Sequence, residues 1–349
     1  MQILSIYIDS NVLIEQGNPI DTPLIERLIA LQNNGIIKIV TTDLTIMEIA
    51  KKFAQNDHNL IKDIARPAFQ KVIAKISDIE IEFNSKAEVF QALLDQYRTE
   101  IRELHDKLGA KILSIDTIQP SIVFDAYAYK KGVFDETAKK DQFPDAFIVE
   151  LIKGETTDYN PITIITSDAD FDGEVNTTDN LNKLSSLEAL ITQVDSAQLD
   201  DDTVQEWLDE NTENLCETFQ DELNEWSLQA SDVMDGEVEE SKVSEVHVTE
   251  FSAFNAISKD GHGLIIGKAE VKGIASVSHP NWDEAMYDSE DKVLIPFESV
   301  SSDVEFSFSI TFAMSVNMNE DTIGEVSDIH FVNESEFLYF EFYPYNPYQ

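Results

Sequence analysis

One cysteine, Cys216, serves a chain of 349 residues. An intramolecular disulfide and an all-cysteine zinc site within one chain are thereby excluded. Basic residues are also scarce, with 24 Lys and Arg against 67 Asp and Glu and a formal net charge of −43. Such a surface favours solubility and repels a nucleic-acid backbone unless a metal ion or a local basic patch intervenes. No apolar run approaches the ~18 residues of a membrane span, and no basic leader precedes the first apolar stretch. A soluble, cytoplasmic protein with no membrane partner is expected. No glycine-rich loop follows the first apolar stretch, which argues against P-loop and dinucleotide chemistry. The six histidines are scattered, and there is no internal repeat.

What is present divides unevenly. The length exceeds one typical domain, so two are expected. Residues 1–196 hold 32 acids and 19 bases, whereas residues 197–349 hold 35 acids and 5 bases. In the first part, apolar strands at 3–8, 36–40, 111–115 and 162–166 alternate with helices that open at Pro23, Asp43, Asn84 and Phe143. Strand–helix alternation implies an α/β domain over 1–196, with a central parallel sheet flanked by helices. A helix over 60–76 is expected to kink or split at Pro67, a short strand is expected at 79–83, and a helix over 184–194 closes the domain. Residues 197–241 contain 16 acids and no base. Their apolar residues Trp207, Leu208, Leu215, Phe219, Leu223 and Trp226 recur at helical spacing, so 197–242 is expected to be an acidic helical linker. Short β-branched runs from Val243 onward imply an all-β module over 243–349, a sandwich or an open barrel.

Four acids stand where an element begins or ends. Asp9 closes the first strand, Glu48 lies in the helix after the second, Asp145 is in the first turn of a proline-started helix, and Asp168 closes the strand at 162–166. Acids at the carboxyl ends of parallel strands lie where such sheets place their sites. Converging carboxylates repel one another unless a cation neutralises them. Hard divalent cations take oxygen ligands, and two of them about 4 Å apart suit phosphodiester hydrolysis. Taken singly, each acid reads as a turn, cap or solvated helix residue; the case rests on all four together.

In order, the stretches Ile6 to Leu13 with Asp9-Ser10-Asn11, Thr45-Ile46-Met47-Glu48, Phe143-Pro144-Asp145-Ala146, and Ile164 to Phe171 with Thr166-Ser167-Asp168-Ala169-Asp170 resemble the ordered motifs of PIN domains, over about the first 195 residues. The resemblance implies a metal-dependent nuclease, in most such proteins one acting on RNA, with Mg2+ or Mn2+ as cofactor. It implies that Asp9, Glu48, Asp145 and Asp168 take the acidic places and that Asn11 and Thr166 take supporting polar places. Asp170 is a further ligand or a supporting group, and Asp141 lies in the loop before Asp145. Lys130, Lys131, Lys139 and Lys140 form the densest basic cluster and are the candidate nucleic-acid contacts. The long stretch between Glu48 and Asp145 departs from a minimal member, and the β module lies outside the family core.

Competing motifs are weaker. Residues 168–173 begin like a calcium-binding loop, with Gly173 at the sixth place. An apolar strand precedes them where a helix is required, and Asp179 holds the twelfth place where Glu is preferred. Asn11 stands where a phosphotransferase of the haloacid dehalogenase type needs its second aspartate. Cys216 among carboxylates reads as a packed small residue. The rival to an endoribonuclease is a PIN-like regulatory or binding module, whose acidic second half masks a nucleic-acid site or recruits a basic partner. Self-association or a protein partner through the β module belongs to the same expectation.

Overall fold

A computed structural model describes residues 3–18, 20–76, 83–134, 142–231, 236–257, 261–281, 286–288, 293–295, 298–319, 322–333 and 337–341. The chain forms two compact units. One comprises residues 1–21 and 25–194, and the other comprises residues 195–349 with 22–24.

The first unit opens with β1 (Leu4–Ile8), α1 (Ser10–Ile14), α2 (Pro23–Asn33), β2 (Ile37–Thr42) and α3 (Asp43–Ile61). It continues through α4 (Pro67–Ile76), α5 (Lys86–Lys107), β3 (Lys111–Leu113), α6 (Pro120–Tyr129) and α7 (Phe143–Glu155), and ends with β4 (Ile162–Ile165), α8 (Asp172–Thr177), β5 (Leu181–Leu184) and α9 (Leu187–Val194). The sheet order is β3-β2-β1-β4-β5, with every pair parallel. Chain order runs outward in one direction from β1 to β3 and in the other from β4 to β5. β1 and β4 therefore flank the topological switch point, where open parallel sheets place their sites. Their residues are buried on both faces, as helix-covered parallel strands require. Beneath one face, Tyr7, Ile162 and Ile164 share a core with Val123, Phe134, Ile148, Val149, Ile152 and Phe171.

Local chemistry accounts for most boundaries. Thr42 caps α3 by accepting from the Thr45 amide at 3.0 Å, and Ser85 caps α5 by accepting from the Glu88 amide at 3.1 Å. The expected 60–76 helix splits. α3 runs on to Ile61, a 3-10 turn covers Lys62–Ala65, and α4 starts at Pro67, because proline lacks the amide a continuous helix needs. The expected strand at 79–83 falls largely outside the described residues. α6 ends at Lys130, whose φ of 50° makes it a left-handed cap. β5 is unforeseen, and α9 begins only at Leu187.

The second unit comprises α10 (Asp201–Glu210), α11 (Thr212–Leu223), β6 (Ser227–Ala230), β7 (Glu237–Phe254), β8 (Gly263–Pro280), β9 (Met286–Asp288), β10 (Val293–Ile295), β11 (Ser299–Asn319), β12 (Thr322–Val332) and β13 (Phe337–Phe340). Its main sheet is antiparallel, in the order β12-β11-β8-β7. The stretch expected to link two domains is helical over α10 and α11 and shares a core with this sheet. Val204, Leu208, Leu215, Phe219 and Leu223 pack with Val246, Val271, Ile310, Phe312 and Phe331. Phe219 sits 5.2 Å from the Phe312 ring and 5.4 Å from Phe331. Among the described residues, this four-stranded sheet shares its core with the two helices and with the short β6-β13 pair, through Leu228, Leu338 and Phe340.

Two glycines shape that sheet. Gly267 and Gly273 on β8 pair with Phe312 and Phe306 on β11. A Cβ at Gly273 would lie 2.2 Å from the Lys242 carbonyl and 2.5 Å from the Phe306 ring, and one at Gly267 would lie 2.5 Å from the Glu250 carbonyl. The cross-strand rings cover the space that side chains at these positions would need.

Candidate active site

Asp9 leaves the end of β1 with its amide still donating to the Ile165 carbonyl of β4 at 3.0 Å. It caps α1, with Oδ1 accepting from the Ser10 amide at 2.8 Å. Its Oδ2 accepts from the Thr166 hydroxyl at 2.7 Å. Thr166, fully buried at the end of β4, also accepts from the Asp168 amide at 3.0 Å. One hydroxyl thus orients two candidate acids on adjacent strands. Burial pushes the Asp9 carboxyl up. The Thr166 and Ser10 bonds pull it down, Asp168 pushes it up, and Lys183 lowers it.

Glu48 enters from α3. Burial raises its carboxyl, a bond from the Ser10 side chain lowers it, Asp9 raises it, and Lys51 lowers it. Asp145 enters from the first turn of α7. Its carboxyl is pushed up to about 7, first by burial and then by Glu48, Asp9, Asp168 and Asp170. Asp168 caps a 3-10 turn, with Oδ1 accepting from the Asp170 amide at 2.8 Å. Asp170 is exposed and accepts from the Gln142 side chain at 3.2 Å. Carboxylates from four separate elements therefore act on one another, with little cationic compensation.

An all-oxygen, mutually repelling set suits a hard divalent cation in kind. Among the described residues, no group of three or more His, Cys, Asp or Glu is close-set enough to hold an ion as it stands. The fit is one of donor chemistry and position, with the side chains still to close on an ion.

The family model for the PIN domain matches residues 6–171. This segment is a PIN-like domain. No curated protein and no solved structure matches the chain. PIN domains are generally nucleases and typically use divalent metals, which agrees with acids gathered at the switch point of the sheet. No helix among the described residues is long and apolar enough to cross a membrane.

The remaining candidates of the PIN-like domain divide. Asn11 is exposed on α1, and the neighbour that bonds into the cluster is Ser10. Lys130 and Lys131 are exposed after α6, with the Lys131 ammonium 5.7 Å from the Tyr129 ring centroid. The turn that follows them, Gly132–Phe134, packs on α8, since a Cβ at Gly132 would lie 1.8 Å from Glu174 Oε1. Lys139, Lys140 and Asp141 lie outside the described residues. Residues 168–177 form a 3-10 turn and then α8, so a helical turn stands where a calcium loop would run. Burial raises the Cys216 thiol, as do Glu245 and Glu213.

Other residues of the site are not among the sequence candidates. The Tyr7 hydroxyl pairs with the Thr45 hydroxyl at 2.8 Å, and Thr45 pairs with Thr42 at 2.8 Å. Burial first, and then Asp9, Glu48 and Asp145, hold this phenol well above its ordinary range. Tyr7 therefore lies within the field of the acids. Lys183 on β5 donates to the Asp168 carbonyl and to the Asp172 carboxylate, both at 2.6 Å. Tyr7 and Lys183 lie within strands and Thr45 in the first turn of α3.

Proposed function

We propose that the PIN-like domain is a metal-dependent endoribonuclease, with Asp9, Glu48, Asp145 and Asp168 holding Mg2+ or Mn2+ and Asp170 available as a further oxygen donor. The observation that carries this reading is the mutual electrostatic strain of acids at positions 9, 48, 145 and 168, capped by an Asp145 carboxyl raised to about 7. A bound divalent cation would supply polarisation of the phosphoryl oxygen and acidify water. The chain's own residues prepare the place. Ser10 and Thr166 fix both oxygens of Asp9, Ser10 steadies Glu48, and the Asp168 amide is tied to Thr166. Asp145 would give up its proton on holding a cation, so that binding would release protons near neutrality. Hydrolysis adds water oxygen to phosphorus in line with the leaving 3′ oxygen, giving a 5′-phosphate and a 3′-hydroxyl. Lys130 and Lys131 stand ready to meet backbone phosphates.

A second reading has one observation in its favour. Residues 195–349 group as one unit, and the acids of α10 and α11 lie on helices whose apolar faces are already buried in its core. We read this unit as an accessory domain that offers an acidic surface to a basic partner. The experiment that separates the readings is cleavage of single- and double-stranded RNA and DNA with Mn2+, by the parent and by Asp9→Asn and Asp145→Asn. Loss of cleavage in both variants, with folding retained, is expected. Equal cleavage by all three proteins rejects the site, and no cleavage by the parent favours the binding module.

A further inference from the structure

The acids of the candidate site are expected from sequence, but the lysine bonded to the loop that carries two of them is not. We propose that Lys183 is a positioning residue, clamping the loop that carries Asp168 and Asp170 through the backbone oxygen of Asp168. This rests on the metal-site reading above for its purpose, though not for its geometry.

The clamp has two anchors. Lys183 is on β5, paired in register with Ile164 of β4. Its side chain is 20% exposed. The ammonium donates to the Asp168 carbonyl and to the Asp172 carboxylate, each at 2.6 Å. These anchors bracket Asp170. Inside the bracket the Asp168 amide donates to Thr166 Oγ1 at 3.0 Å, and the Asp170 amide donates to Asp168 Oδ1 at 2.8 Å. The segment 166–172 is therefore tied at its start by Thr166 and at its middle and end by one lysine. A charge-assisted bond of this length is about twice as strong as a neutral one.

The choice of acceptor is informative. Lys183 takes the main-chain oxygen of Asp168 instead of its carboxylate, so it steadies the residue without neutralising the group a cation needs. In a chain carrying 67 acids and 24 bases, an ammonium beside the acid cluster also offsets repulsion there, and Asp9 feels it. The two effects predict opposite outcomes. A bare positive charge repels a divalent cation, so its removal would tighten ion binding. A positioning bond organises the ligand, so its removal would weaken ion binding. Groups that orient metal ligands typically contribute roughly 10–100-fold to affinity, and we expect positioning to dominate.

The test uses the full chain as parent, Lys183→Met, Lys183→Arg and Asp172→Asn. The first readout needs no metal: hydrogen exchange of the peptide spanning residues 166–172, with the peptide over β4 as internal reference. Lys183→Met should exchange about tenfold faster or more in the loop alone, Asp172→Asn should fall between it and the parent, and Lys183→Arg should return to within about threefold of the parent. The second readout is Mn2+ binding followed by electron paramagnetic resonance, where Lys183→Met should bind roughly tenfold more weakly or worse and Lys183→Arg should recover. Unchanged loop exchange in Lys183→Met overturns the clamp. Tighter Mn2+ binding overturns it in favour of a charge effect. If the parent binds no Mn2+, the metal reading fails, while the exchange comparison still decides the clamp. If Lys183→Met does not fold, Asp172→Asn decides it, because that change takes the charge from one anchor at an exposed side chain. Parent-like exchange there rejects the proposal.

Discussion

Asp145→Asn should make the metal-free protein more stable while abolishing cleavage. In the folded chain the Asp145 carboxyl is raised from an ordinary 3.8 to about 7. The folded state therefore holds a proton that the unfolded state releases near pH 4. Stability falls as pH rises through that window, and the loss is complete above pH 7. At 1.36 kcal/mol per unit, the shift of about 3 units amounts to about 4 kcal/mol at pH 8 and about 2 kcal/mol at pH 5.5. Neighbouring acids relieve part of this by taking up protons themselves, so about 2–4 kcal/mol is expected at pH 8. Asparagine keeps the shape and removes the charge. With chelator present, the transition of the first unit should rise by roughly 4–12 °C at pH 8. The gain should shrink at pH 5.5, which stays above the pI of about 4.2. Saturating Mn2+ should stabilise the parent by about 2.7 kcal/mol at a hundredfold excess over Kd and should narrow the gap. An asparagine variant that melts at or below the parent at pH 8 refutes the strained cluster.

Thr166→Val should weaken both bonds that its hydroxyl makes to Asp9 and Asp168. The expected cost is about 1–3 kcal/mol in thermal unfolding together with a large fall in metal-dependent cleavage; cleavage at the parental rate counts against this hydroxyl as an organiser. Gly273→Ala should destabilise the second unit by about 1–3 kcal/mol, because its Cβ meets the Lys242 carbonyl and the Phe306 ring. Denaturant melts followed by tryptophan emission from Trp207 and Trp226 report on it. Lys130→Ala and Lys131→Ala should each weaken RNA binding and lower the slope of log affinity against log salt by about 1; an unchanged slope in filter binding removes them from the interface.

Much of the first unit was legible because its strands are plain apolar runs that end in polar residues. Asp9 and Thr166 announce themselves at the ends of β1 and β4 in that way. β5 was not legible. Its four residues, Leu181 to Leu184, include Asn182 and Lys183, so the apolar signal is halved, and the helix expected over 184–194 takes Leu184. Missing the strand meant missing Lys183. Asn11 is exposed on α1 while its neighbour Ser10 bonds to Glu48, and nothing in the sequence tells the outward residue from the inward one. In the second unit, β8 runs straight through Gly267 and Gly273, from Gly263 to Pro280. What sustains the strand is an aromatic ring on β11 opposite each glycine, a relation between positions about 40 residues apart that no local pattern carries. The acidic helices α10 and α11 were legible as helices, but their partner was not, since amphipathic spacing names a buried face without naming what covers it.

The adjacency of β1 and β4 has a consequence for the order of synthesis. Asp9 leaves the ribosome early, yet its hydroxyl partner on Thr166 lies 157 positions later in the chain. At about 5–20 residues per second, roughly 8–30 seconds separate the two. During that interval β1 can pair with β2, but its other neighbour does not yet exist, and Asp145 and Asp168 follow only with α7 and the end of β4. The acid cluster is therefore complete only when nearly the whole first unit has been made, and on the proposed reading cleavage would have to wait for that point.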